Sequence, residues 1–226
     1  MSLILSLETS TSVCSVALHH EGRIVAASEI HKEQSHASKL AVLIEEVMKV
    51  AGHSMSELNA VAISSGPGSY TGLRIGTSTA KGLCYALNVP LIGVDTLFLM
   101  AAQINGYNVA NAMLCPMIDA RRMEVYCLVT DAELQTLQAV EAKVIDESSF
   151  QDFLEQGQVI FFGNGSAKCR PVIQHKNALF LNDEFPSATM LGSLAFEKFQ
   201  RGAFEDLVSF EPFYLKEFLV KKAGTH

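Results

Sequence analysis

The opening of the chain constrains its fold most strongly. Leu3 to Leu7 is a short strand-like run, cut off by the polar stretch Glu8-Thr9-Ser10-Thr11-Ser12. Polar residues of this kind turn the backbone by bonding their side chains to nearby main-chain groups. Val13 to Leu18 resumes the strand pattern, and Arg23 to Ile30 repeats it after Glu21-Gly22. Strand, turn, strand, turn, strand is an antiparallel meander. A helix is predicted over His36 to Ala51, stopped by Gly52, and then a strand over Ala60 to Ser65. The loop Gly66-Pro67-Gly68-Ser69 leads into a helix from Gly72 to Leu87, and Val89 to Val94 returns as a strand.

The second half repeats this order less clearly. Met113 to Ile118 and Glu124 to Thr130 read as strands joined through Asp119-Ala120-Arg121-Arg122-Met123. Val140 to Ile145 adds a strand, Ser148 to Gln156 a helix, and Val159 to Phe162 a further strand. Gly163-Asn164-Gly165 then opens a predicted helix near Lys168. Ser187 to Gln200 places Leu191, Leu194, Ala195 and Phe199 at helical spacing. The expected division is a lobe at 1–106 and a smaller lobe at 107–226, packed on each other because no low-complexity linker separates them. The fold class is α/β, each lobe a mixed sheet flanked by helices.

Composition narrows the function classes. An apolar content of 49% suits a well-packed globule. Seventeen basic against 24 acidic residues leave a net charge of −7, and the basic residues cluster only in pairs such as Arg121-Arg122 and Lys221-Lys222. A firm grip on a nucleic-acid backbone needs more than that, so any RNA is expected to be held mainly by something else. Five widely spaced cysteines with no CxxC argue for buried reduced thiols rather than zinc or a disulfide framework. The first residues lack a basic stretch and reach Glu8 too early for a signal peptide. No run approaches a membrane span. A cytoplasmic location is expected.

Two readings of Gly66-Pro67-Gly68-Ser69-Tyr70-Thr71-Gly72 stand side by side. Its backbone N–H groups could face an anion at the helix N-terminus, or the glycines could make the turn while Ser69 caps the helix. The histidines give no HExxH pair and no GxSxG elbow occurs. His36 reads as a helix-start residue, and the charged tip at Asp119–Arg122 as a solvated hairpin turn or a contact site. Leu40 to Ile44 is apolar around more than one turn, and Gly76 and Gly82 lie inside the second helix, where each costs about 1 kcal/mol relative to Ala. Burial within the molecule and a subunit interface both explain these features.

The order βββαβα resembles a lobe of the actin/hexokinase/Hsp70 superfamily. Motifs along nearly the whole chain resemble those of the TsaB (YeaZ) family: Ile4-Leu-Ser-Leu-Glu-Thr-Ser-Thr, Cys14-Ser-Val-Ala-Leu, Gly66-Pro-Gly-Ser-Tyr-Thr-Gly-Leu-Arg-Ile-Gly, Asp119-Ala-Arg-Arg-Met-Glu-Val-Tyr and Gly163-Asn-Gly. The family often has Ser after the helix-start His and Pro a few residues on. Ala37 and Ala41–Leu43 stand there instead. The resemblance implies a two-lobed fold and a role beside the paralogous TsaD, with the ATPase TsaE, in placing a threonylcarbamoyl group on the tRNA adenosine next to the anticodon. Glu8, Thr9, Ser10, Gly66, Gly68, Ser69, Gly163 and Gly165 then correspond to nucleotide loops that have lost their chemistry. TsaD's metal-binding histidines are missing, and Thr11 and Ser12 stand where it has an acidic pair. Neither catalytic residues, metal nor cofactor is therefore expected, and tRNA is met only through the complex. The implied partner face is Leu40, Leu43 and Val47 on the first helix with Gly72, Gly76, Thr77, Ala80 and Cys84 on the second. That face could form a homodimer when the chain is alone. An active nucleotide-dependent kinase or carbamoyltransferase of the same superfamily is the main alternative, and a glycoprotease a weaker one.

Overall fold

A computed structural model describes residues 2–32, 36–182 and 184–215; Lys221 and Lys222 lie outside them. Among the described residues, ten strands form two five-stranded sheets. The first takes β1 (Leu3–Glu8), β2 (Val13–His20), β3 (Arg23–His31), β4 (Ala60–Gly66) and β5 (Leu91–Asp95) in the order 3-2-1-4-5. β1, β2 and β3 pair antiparallel, while β4 runs parallel to both β1 and β5. Helix α1 (His36–Ala51) connects β3 to β4, and α2 (Tyr70–Leu87) connects β4 to β5.

The second sheet takes β6 (Met113–Asp119), β7 (Glu124–Thr130), β8 (Thr136–Val144), β9 (Val159–Phe162) and β10 (Ala178–Phe180) in the order 8-7-6-9-10. Its pairing repeats the first: antiparallel through β6, β7 and β8, then parallel through β9 to β10. Such a duplicated unit, with helices on the sheets, is the actin/hexokinase/Hsp70-like fold. Helix α4 (Gln151–Gln156) precedes β9. The helix expected near Lys168 is instead a run of turns, in which Cys169 and Arg170 donate back to Ser166 O. Pro171 has no N–H with which to continue a ladder.

The strands of the first sheet all precede Gly106 and those of the second all follow it, but the helices do not keep to that division. Helix α3 (Thr96–Asn105), absent from the sequence expectation, packs Leu97, Met100, Ala101 and Ile104 against Leu114, Ile118, Leu128 and Phe162 of the second lobe. In the opposite sense, α5 (Ala188–Gln200) closes the first sheet, with Leu191 and Ala195 against Ile4, Ala60, Ala62, Ile92 and Val94. Residues 107–226 therefore do not form a self-contained lobe. Each lobe is roofed in part by a helix that the chain places in the other half.

The expected partner face also changes. Leu40, Leu43, Ile44, Val47 and Met48 point inward, onto Leu3, Leu5, Leu7 and Val16. With His36 they follow helical spacing on one side of α1, and only Ala41 and Val42 of the apolar turn look outward. Thr77, Ala80 and Cys84 are buried as well. Gly72 and Gly76 give room to the chain's own β1–β2 turn, not to a neighbouring helix. A Cβ on Gly72 would overlap the Thr9 carbonyl oxygen, and one on Gly76 would overlap Thr9 Oγ1. The named side chains thus belong to the interior of the first lobe.

Candidate functional site: the cleft between the lobes

A cleft of about 960 Å³ opens between the two sheets. One wall carries Ser10, Thr11 and Ser12 from the β1–β2 turn and Gly68, Ser69, Tyr70 and Thr71 from the start of α2. These two segments are joined to each other. Ser69 N–H donates to Ser10 O at 2.6 Å, and Thr9 Oγ1 donates to Gly72 O at 2.9 Å. Gly68 lies so close to Ser10 that a side chain there would strike its backbone. Ser69 Oγ accepts from Gly72 N–H at 3.3 Å, so it caps α2. Both sequence readings of the glycine loop therefore apply at once: the glycines make the turn, and the first turn of α2 still faces the cleft.

Glu8 does not reach the cleft. Its side chain is fully buried, and Oε1 accepts from Ser10 N–H at 2.5 Å and Ser10 Oγ at 2.6 Å. Oε2 has no hydrogen-bond partner among the described residues. Burial pushes the Glu8 carboxyl above its ordinary value, and the bonds from Ser10 only partly oppose this. Ser64 lies near enough to oppose it too, but makes no hydrogen bond of normal geometry. A carboxylate meant to organise a metal and phosphate would need to face the opening, and this one is used in the turn.

The opposite wall comes from the β6–β7 hairpin: Asp119, Ala120, Arg121, Arg122, Glu124 and Tyr126, with Asn164 beside them. Arg121 and Arg122 are exposed, with φ of +72° and +49°. Two successive non-glycine residues in the left-handed region store backbone strain of order 1–3 kcal/mol each. Local bonds hold the tip in place: Asp119 Oδ1 accepts from Arg121 N–H at 2.9 Å, and Lys168 Nζ bonds both the Asp119 carboxylate and Glu124 O. The arginines are thus on a solvated tip that also lines the cleft.

Gly163 and Gly165 serve this wall from behind. A Cβ at either would meet β6 backbone, and Gly165 N–H donates to Met117 O at 3.0 Å. Of that trio only Asn164 reaches the cleft, where its Oδ1 accepts from Asp119 N–H at 2.9 Å. Of the eight expected loop residues, Ser10, Gly68 and Ser69 line the cleft. Glu8, Thr9, Gly66, Gly163 and Gly165 support it without lining it.

One part of the site was not foreseen. Phe213, Tyr214 and Leu215 line the cleft beside Tyr70, and the Tyr70 and Tyr214 rings stand 5.0 Å apart. Arg74 covers the Tyr70 ring, 5.4 Å from its centroid, and donates to its hydroxyl at 3.2 Å. No sequence signal brings residue 214 to residue 70, because only tertiary packing does so.

His36 is buried at the start of α1, with Nε2 3.2 Å from Val13 O. Among the described residues, no group of three His, Cys, Asp or Glu side chains could hold a metal ion. All five cysteines are buried and free, and burial pushes Cys14, Cys84 and Cys169 up to about 11. Among the described residues no helix is long and apolar enough to cross a membrane.

The TsaB protein of Escherichia coli K12, named a tRNA threonylcarbamoyladenosine biosynthesis protein, is 31% identical over 221 residues. That alignment covers 94% of this chain and 94% of the relative. The YeaZ structure from Pseudomonas aeruginosa superposes with a TM-score of 0.81 at 28% identity, over 95% of this chain and 100% of that one. The chain belongs to the TsaB family. A family model described as TsaD, tRNA N6-adenosine threonylcarbamoyltransferase, matches residues 24–226. The threonylcarbamoyltransferase of Solidesulfovibrio magneticus is itself 29% identical over 168 residues, covering 67% of this chain and 44% of that protein. TsaB and the transferase are therefore relatives in sequence, and the TsaB match runs the length of both chains.

Proposed function

We propose that this protein is a non-catalytic subunit in the formation of threonylcarbamoyladenosine on tRNA. It binds and supports a TsaD-like transferase, with a TsaE-like ATPase, in the cytoplasm. The observation that carries this reading is the state of Glu8. The superfamily cleft is retained, but the acidic residue at its first loop, Glu8, is buried and bonded to Ser10. Thr11 and Ser12 offer hydroxyls where carboxylates would be needed. With net charge −7, the chain meets tRNA through the complex.

The partner face consistent with the packing is the outer side of α1 and α2. Val42 is 44% exposed and Tyr85 83% exposed, whereas Leu43 is 3% exposed. Arg121 and Arg122 at the cleft favour the alternative, a nucleotide-dependent kinase or carbamoyltransferase, because guanidinium groups suit phosphate.

Co-purification with a TsaD-like protein, scored beside tRNA modification in the reconstituted mixture, separates the two. Val42→Arg should stay folded and weaken partner capture at least about tenfold, as expected for a charge placed in a desolvated contact. Leu43→Arg should cost about 3–5 kcal/mol of stability by burying an unpaired charge, and aggregate. A folded Val42→Arg that captures the partner normally removes this face from the interface. ATP turnover by the isolated chain, lost on a cleft substitution such as Arg121→Ala, would replace the scaffold with the transferase or kinase.

A further inference from the structure

We infer that His19 is an acid-sensitive latch: α5 stays seated on the first sheet while this imidazole is neutral, and a proton on the ring releases it. The ring is fully buried, between β2 and Gly192 of α5. Its Nε2 stands 2.8 Å from Thr189 O. A carbonyl oxygen only accepts, so Nε2 carries the hydrogen and Nδ1 is left with its lone pair. That nitrogen is buried without a hydrogen-bond partner among the described residues. It faces the helix backbone, because a Cβ on Gly192 would overlap the ring at Nδ1, Cε1 and Cγ. Glycine inside a helix costs about 1 kcal/mol relative to Ala, and here it gives the ring its place. Ala188 N–H donates to Ser15 Oγ at 2.9 Å, and Ser193 Oγ donates to Gly22 O at 3.1 Å. These two bonds fix α5 on either side of the contact.

A proton on the ring adds a donor at Nδ1, where nothing stands ready to accept it. The residues level with His19 on the neighbouring strands are Ile4 and Ile24, both apolar. Charged groups on the elements packed around it are held elsewhere: Glu8 by Ser10, Glu29 by Ser187, Glu197 by Arg201 and Lys198 by Gly93 O. His20, Glu21 and Arg23 are exposed at the β2–β3 turn, and α3 brings no charged side chain. Burial therefore lowers the proton affinity of the ring, opposed by the Thr189 bond. A buried donor without an acceptor carries its full desolvation cost, which is removed once α5 lifts and Nδ1 meets water. Acid thus favours the lifted state. Leu191 and Ala195 leave with the helix and uncover Ile4, Ala60, Ala62, Ile92 and Val94. The latch belongs to the fold and does not depend on the scaffold reading.

Native-state amide exchange on the full chain tests it, at about pH 7.5 and about pH 5.5, with each rate corrected for the pH dependence of the exchange chemistry. An imidazole with the usual value of 6.5 is protonated in about tenfold excess at about pH 5.5. A ring that the seated helix holds neutral passes this whole factor to the opening equilibrium. Protection of α5 amides such as Ala195 should therefore fall about tenfold, while that of Val125 and Cys127 in β7 falls less than about threefold. His19→Gln keeps an N–H for Thr189 O and does not titrate, so it should cut the fall in α5 to less than about twofold. Unchanged α5 protection overturns the latch, and so do equal falls in α5 and β7. A folded His19→Gln protein that keeps the tenfold fall overturns it too. If His19→Gln does not fold, the imidazole nitrogen resonances of the unaltered chain decide. The ring should remain the neutral Nε2–H tautomer at about pH 5.5, and a protonated ring beneath an α5 that keeps its protection overturns the proposal.

Discussion

At the scale of single residues, burial without an opposite charge sets how stability responds to pH. Asp95 caps α3 by accepting from Phe98 N–H at 2.8 Å, and burial pushes its carboxyl up to about 6. Its usual value is 3.8, so the unfolded chain ionises first as pH rises. A carboxyl raised on folding contributes stability that is complete below its unfolded value and lost as pH climbs through its folded one. Raising pH from about 4 to about 6 should therefore lower the denaturation midpoint. Asp95→Asn, which keeps a carbonyl to accept from Phe98, should flatten that slope in urea titrations. An unchanged slope would show that the capping carboxyl is ionised throughout. Glu8 acts in the same direction. His19 acts oppositely: burial lowers it below its usual 6.5 while Nε2 bonds Thr189 O at 2.8 Å. The unfolded chain then takes up the proton first, so the His19 contribution is lost as pH falls below 6.5. None of these shifts is legible in the sequence, where Glu8 and Asp95 stand beside ordinary turn residues. They arise from burial in the folded chain, which desolvates all three groups.

At the scale of elements, legibility follows how many faces an element buries. The meander and α2 were readable because turns and caps punctuate them, and α1 because its buried residues keep helical spacing. Helix α3 was not, because it lies between the sheets: Leu97, Leu99, Met100, Ala101, Ala102 and Ile104 are all buried, and burial on several sides erases the one-sided stripe. The turn Leu40–Ile44 failed in the other direction. Five apolar residues in a row suggested an external partner, yet Leu40, Leu43 and Ile44 fill the chain's own core and only Ala41 and Val42 are surplus. The α2 glycines carry a similar lesson, since spacing cannot tell which ones lie against a neighbour. Nothing stands within 4 Å of a Cβ at Gly82, whereas Gly72 and Gly76 press on Thr9. Gly82→Ala should thus stabilise the protein by up to about 1 kcal/mol through helix propensity. Gly72→Ala should instead destabilise by about 1–3 kcal/mol, because the overlap outweighs the same propensity gain. Thermal melts of the two variants check both signs. Stabilisation by Gly72→Ala would mean that the β1–β2 turn yields freely.

At the scale of the whole molecule, the exchange of α3 and α5 between lobes makes two similar sheets into one cooperative unit. The topology repeats, 3-2-1-4-5 and 8-7-6-9-10, so each half could be taken for an independent domain. The roofing helices argue otherwise. Residues 1–106 hold every strand of the first sheet, but without α5 the face made by Ile4, Ala60, Ala62, Ile92 and Val94 loses the cover of Leu191 and Ala195. The same fragment carries α3, whose Leu97, Met100 and Ile104 lose Leu114, Leu128 and Phe162. It would also lose the short antiparallel bridge between Leu91 and Glu205. Two apolar faces left open at once exceed what a folded chain of that size commonly exposes. The isolated fragment should therefore bind a hydrophobic dye and melt without a cooperative transition. The intact chain should unfold in one step, with far-ultraviolet circular dichroism and aromatic fluorescence giving coincident curves. A fragment that melts cooperatively, or an intact chain whose two probes separate, would mean that the lobes are held by their own sheets and that α3 and α5 only rest on them.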